Sequence, residues 1–205
     1  MIPIERHAEP QNFNLDVRKK GINYLMSKGI QLDTEAPLNT FFKPYWRKYK
    51  STLYECYKGY CAYTCFHIHE MTGSSAIEHI LPKQKFPRLA YEWSNYCLAC
   101  ACINSKKGQQ IGLLNPFDVS ENLFFLILAT GFITTNEQHP LSQLAQKTID
   151  CLDLNNEKWY TARQKCMFKY IENRNNGLSV EIAEKRLKED TIFVWSEAKR
   201  QGYLI

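Results

Sequence analysis

The sequence has no internal repeat, no low-complexity stretch and no apolar segment long enough to cross a bilayer. The first two absences exclude solenoids, propellers and compositionally biased linkers. Its longest apolar run, Leu123–Ile133, falls well short of the roughly 20 residues a spanning helix needs, and is expected to be buried core. No basic-then-apolar leader opens the chain, so a cytoplasmic protein with no membrane association is expected. The eight cysteines are then expected to be thiols or metal ligands, since nothing directs the chain to an oxidising compartment.

What is present is an ordinary globular composition, 44% hydrophobic and 23% charged, with a high aromatic content of 13% that a core must bury. At 205 residues the chain suits one sizeable domain, or a small catalytic module with helical additions. The net charge of +5 is modest but unevenly spread. Residues 41–60 carry Lys43, Arg47, Lys48, Lys50 and Lys58 against Glu55 alone, and residues 83–110 carry Lys83, Lys85, Arg88, Lys106 and Lys107 against Glu92. Residues 111–157 are acidic, with six carboxylates against Lys147. A basic centre beside an acidic stretch suits a polyanionic substrate, although solvated charged faces would read the same way.

Periodicity predicts an amphipathic helix over Asp16–Lys28 and a basic, aromatic one over Lys43–Tyr57, stopped by Gly59. From Tyr60 to Gly108 the pattern becomes short β pieces, turns and one short helix, with His67 and His69 alternating along an expected strand. After Asn115-Pro116 come an apolar strand-like run and a hairpin-like Thr130-Gly131. Helices are predicted over Leu141–Leu152, Glu157–Asn173 and Ser179–Ala198, the last broken near Asp190. The expected class is α+β, mostly helical, divided as an N-terminal helical segment (1–58), a core (59–110) and a C-terminal, mainly helical region (111–205). That last region is expected to dock a partner, through exposed aromatics such as Trp159, Tyr170 and Trp195.

The core holds the chemistry. It reads CAYTC at 61–65, IEHILPK at 77–83 and YEWSNYCLACACINSKKG at 91–108. Taken singly, a Glu-His pair is common, Asn95 is a turn residue, Asn104 a helix cap and Lys107 a solvated charge. Their spacing is less ordinary: Asn104 follows Asn95 by nine residues and Lys107 follows Asn104 by three. With Pro82 and Lys83 after the histidine, the set resembles the HNH, or ββα-metal, nuclease motif.

That resemblance implies a central ββα-metal fold and hydrolysis of phosphodiester bonds in nucleic acid, DNA more readily than RNA. His79 would be the general base, and a neutral imidazole suits that role. Asn95 would hydrogen-bond backbone and orient His79, and Lys107 would meet a substrate phosphate. Glu78 and Asn104 would offer oxygen ligands to a hard cation, Mg²⁺ or Mn²⁺. Neighbours on a strand face opposite ways, so Glu78 and His79 can serve one phosphate only where the strand ends or distorts.

Many members of this family hold a structural zinc with two C-x-x-C pairs. Here Thr64 and Ile103 stand at two of the four ligand positions, leaving Cys61 and Cys100. Cys61, Cys65, Cys97 and Cys100 could converge only with a shifted loop, so apolar packing is expected in place of zinc. Beyond the motif, IERHAEPQNF, FPRLAYEWSNYCLAC, NPFD and VWSEAKRQGYL resemble the stand-alone HNH proteins of bacterial antiphage operons, of the Septu and retron-associated type. This likeness implies an ABC-type ATPase partner, sometimes with a retron reverse transcriptase and its RNA–DNA hybrid. The alternative is a catalytically inactive, Cys-rich nucleic-acid-binding module. A Cys/His hydrolase is a further rival, but no cysteine stands in a nucleophile context.

Overall fold

The chain enters through a wide helical turn, Asn14–Arg18, that runs on as α1 (Lys19–Ser27), inside the predicted 16–28 span. Val17, Gly21 and Leu25 recur at every fourth residue and form its buried face. Gly21 is needed for close approach: in this computed structural model, which describes residues 1–205, a methyl group there would meet the Tyr91 ring at 2.2 Å. The helix expected over 43–57 is instead a 3-10 turn, Tyr45–Tyr49, followed by α2 (Lys50–Cys56). Trp46 and Tyr49 are both buried, and a tighter turn aligns residues three apart.

The strand expected around His67 and His69 is not formed. Cys65 takes a left-handed conformation (φ 58°), and only isolated bridges, Tyr60 to His67 and Phe66 to Thr191, surround it. The centre of the chain then runs strand, long loop, strand, helix. β1 (Ser75–His79) pairs antiparallel with β2 (Tyr96–Cys100), setting Glu78 opposite Cys97 and His79 opposite Tyr96. α3 (Ala101–Lys107) follows without a linker and packs back on both strands.

The apolar run from Leu123 supplies β3 (Phe124–Ile127), which pairs with β4 (Phe132–Thr135) around a turn ending at Gly131. α4 (Ser142–Leu152) and α5 (Glu157–Asn175) lie where periodicity placed them, and Asn156 caps α5 by accepting from the Trp159 amide. The predicted break near Asp190 separates α6 (Val180–Asp190) from α7 (Ile192–Arg200). Thr191 is extended there because residues 65–67 pair with the gap: Ile192 N–H donates to the Cys65 carbonyl at 3.2 Å, and His67 N–H to that of Asp190 at 3.1 Å.

The architecture is α+β, with seven α-helices and two separate two-stranded antiparallel sheets. One hydrophobic cluster runs through all three expected stretches, from Phe13 through Leu98 to Val194. The C-terminal aromatics belong largely to it. Tyr170 is buried, Trp159 stacks on Phe66 with ring centroids 5.9 Å apart, and Trp195 is half-buried under Lys188 and Lys199. The exposed apolar side chains on these helices are Phe168, Ile171 and Ile182. No helix is long and apolar enough to cross a membrane.

Candidate active site

His79 is the last residue of β1, and the loop after it is held shut by Asn95. The Asn95 side chain accepts from Leu81 N–H at 2.8 Å and donates to the carbonyls of Leu81 and Leu89, both at 3.0 Å. Its own carbonyl accepts from Ile80 N–H at 2.9 Å. One buried amide thereby ties Leu81 to Leu89 within the loop that carries Pro82, Lys83 and Ala90. The first forty residues brace the same loop from outside. Ala36 and Gln84 exchange backbone and side-chain bonds, Arg18 grips Glu92, and the Trp93 indole donates to the His7 carbonyl.

The His79 ring sits edge-on to Trp46 (centroids 4.8 Å apart) and to Tyr96 (5.0 Å). Its Nε2 lies 2.9 Å from the Ala90 carbonyl, which also accepts from the Tyr96 hydroxyl at 2.8 Å. A carbonyl can only accept, so Nε2 carries the proton and Nδ1 keeps its lone pair. Burial, with Lys83 and Lys107 adding to it, pushes the imidazole down to about 3, against the hydrogen bond to Ala90. The ring is therefore neutral at neutral pH.

His79 opens on a cleft of about 420 Å³ that is also lined by Trp46, Arg47, Lys50, Lys83 and Asn104. Arg47 and Lys50 reach it because the 3-10 turn meets α2 between them. Lys48 points elsewhere, to Asp16 at 2.5 Å. The half-buried Lys83 amine is lowered by burial and by Lys107, against the pull of Glu78, and lies 5.8 Å from the Trp46 ring centroid. From the sequence Arg47 and Lys50 are visible only as a basic composition, whereas Lys83 stands out with Pro82 in the motif after His79. The signal that marks the first two is the pairing of Arg47 and Lys50 one turn apart beside Trp46.

Glu78 and Lys107 stand behind this cleft rather than in it. Strand alternation turns Glu78 to the face it shares with Cys97, where the Lys107 amine lies 3.1 Å from Oε1. The same amine donates to the His79 carbonyl at 2.7 Å. Lys107, expected to meet a substrate phosphate, is 1% exposed and bonded inward, so cleft cations other than Lys107 are the ones free to take that place. Burial pushes the Glu78 carboxyl up to about 7, countered only in part by Lys107. Its Oε2 is buried without a hydrogen-bond partner. An orphaned buried acceptor is costly, and a cation would relieve it. This oxygen lies on the face of β1 away from the cleft that Asn104 lines, so the two expected cation ligands are not brought together, and nowhere do three His, Cys, Asp or Glu side chains converge.

The four cysteines considered for zinc are not gathered into one group, although Cys61 and Cys100 meet. The Cys61 sulfur accepts from Cys100 N–H at 3.4 Å and is hydrogen-bonded to Thr64 as well, while Cys65 turns to the terminal amine and Cys97 to Glu78 and Tyr63. A larger cavity, about 520 Å³, lies between residues 1–3 and α7, but its Glu197 and Arg200 pair with each other at 2.7 Å and no basic cluster faces it. No protein-family model matches the chain, and no curated protein matches it significantly.

Proposed function

We propose that this chain is a divalent-metal-dependent endonuclease of the HNH type, hydrolysing phosphodiester bonds in nucleic acid, DNA before RNA. The observation that carries the reading is the cleft in which neutral His79 and the Asn104 amide face Arg47, Lys50 and Lys83. His79 takes a proton from the attacking water at Nδ1, while the Ala90 carbonyl holds the ring by its other nitrogen. A phosphate entering the cleft brings negative charge toward the imidazole and raises its proton affinity. Arg47, Lys50 and Lys83 hold the phosphodiester and offset that charge. A Mg²⁺ or Mn²⁺ ion would add charge stabilisation at the pentavalent phosphate, with Asn104 the expected ligand that lines the cleft.

The test is cleavage of plasmid, single-stranded DNA and tRNA, with and without Mg²⁺ or Mn²⁺. His79→Ala, with an unchanged circular dichroism spectrum, is expected to lower the rate by about 10²–10⁴. A folded His79→Ala protein that cuts at the parent rate sinks the reading. Tight binding with no metal-dependent product favours the inactive Cys-rich binding module. The reading extends, on sequence resemblance alone, to an effector role in antiphage defence beside an ABC-type ATPase, and co-purification of the two tests that extension.

A further inference from the structure

Three thiols take no part in the proposed reaction, yet they meet where β2 passes into α3. Cys100 ends the strand, with its amide on the Cys61 sulfur at 3.4 Å and its own Sγ 3.1 Å from that of Cys102. Cys61 is buried, Cys100 half-buried and Cys102 exposed, and all are free thiols. We propose that Cys100 and Cys102 are a peroxide-sensitive dithiol, Cys102 meeting the oxidant and Cys100 closing the disulfide.

The exposures assign the roles. A peroxide reaches Cys102 from solvent, whereas Cys100 is shielded but already touches the Cys102 sulfur. The Cys102 thiolate attacks a peroxide oxygen, the O–O bond breaks and hydroxide leaves, giving a sulfenic acid. The Cys100 thiol then attacks the Cys102 sulfur, giving up its proton as the S–O bond breaks and a second hydroxide leaves. The two hydroxides take up the two thiol protons, so two thiols and one peroxide give one disulfide and two waters. Closing the sulfurs to about 2.05 Å asks for a shift of about 1 Å, within reach of side-chain rotation. Other thiols lack this combination: Cys65 and Cys97 are buried, and Cys56, Cys151 and Cys166 are only half-buried.

The bridge would tie the first turn of α3 to the end of β2. Asn104 and Lys107 ride on that helix, so the bridge would form beside two residues of the candidate site; that proximity matters to activity only on the nuclease reading, whereas the dithiol itself does not depend on it.

The experiment treats the reduced full-length protein with hydrogen peroxide, then counts free thiols and maps peptides by tandem mass spectrometry without reduction. The expected result is loss of two thiols per chain, a Cys100–Cys102 bridge, and full recovery with dithiothreitol. Cys102→Ser, a change at an exposed position, is expected to keep its remaining thiols at the same dose. Cys102 found as sulfinic or sulfonic acid beside a free Cys100 overturns the proposal. So does a bridge from Cys61 to Cys100, or equal oxidation in Cys102→Ser. None of these readouts depends on cleavage, so the dithiol stands or falls on them even in a protein that cuts nothing.

Discussion

Lys107 and Glu78 form an ion pair buried on both sides, with 1% and 4% of the side chains exposed, and the same ammonium caps the His79 carbonyl. Removing one partner of a buried pair leaves the other uncompensated, which typically costs about 3–5 kcal/mol. Lys107→Met is therefore expected to lower unfolding stability by about that amount, measured by urea denaturation. Glu78→Gln combined with Lys107→Met should recover much of the loss. A Lys107→Met protein of parent stability that binds DNA weakly would instead restore Lys107 to the phosphate.

Phosphate contact is expected from the cleft cations. Each lysine or arginine that neutralises a phosphate steepens the salt dependence of binding by about one unit of log–log slope. Lys83→Ala and Arg47→Ala should each weaken binding of a DNA duplex and reduce that slope by about one. Lys48→Ala, whose amine is engaged by Asp16, should change neither. Fluorescence anisotropy across a salt series measures all three, and a Lys48→Ala effect equal to that of Lys83→Ala would remove the cleft from the binding surface.

His79 makes stability depend on pH. Its folded value is depressed to about 3 from an ordinary 6.5, so between these values the unfolded chain binds a proton the folded one refuses. The contribution is present above about 6.5 and is lost as pH falls toward about 3. Glu78 runs the other way: raised from 4.5 to about 7, its contribution is complete below 4.5 and is lost as pH rises through about 7. His79→Gln keeps Glu78, so the difference between the two proteins isolates the histidine. The parent should lose more stability than His79→Gln on acidification across that window, and parallel melting curves would show that His79 is not desolvated.

The elements easiest to read from sequence are those whose pattern is local. α4 and α5 follow from amphipathic spacing, and the break at Thr191 and the hairpin before Gly131 from turn chemistry. The candidate residues are legible as a spacing, and the fold brings His79 and Asn104 to one cleft. Strand alternation already sets Glu78 and His79 apart, but the spacing does not tell on which side Lys107 lies. Glu78 and His79 are neighbours in sequence but face opposite sides of β1, and Lys107 follows Glu78 inward. Which of five basic residues in 41–60 reaches the cleft depends on where a 3-10 turn gives way to α2, and that is set by the burial of Trp46 and Tyr49. The thiol contact between Cys100 and Cys102 likewise arises from the strand-to-helix corner, not from the cysteine count.

That corner also bears on zinc. Cys61 and Cys100 already meet, and Cys61 is hydrogen-bonded to Thr64, while Ile103 is buried in the first turn of α3. Thr64 and Ile103 are the two positions at which the resemblance places further thiolates. A tetrahedral zinc site needs four converging ligands, and two thiols with a hydroxyl and an isobutyl-sized side chain supply too few. Protein purified without added zinc is expected to hold far less than one zinc per chain. Thr64→Cys combined with Ile103→Cys is expected to take up about one, with a gain in thermal stability that a chelator reverses. Elemental analysis of both proteins decides it. A full zinc complement in the parent, surviving alkylation of the exposed Cys102, would mean that Cys65 or Cys97 moves to the metal and that the packing around Arg163 or Glu78 opens to let it.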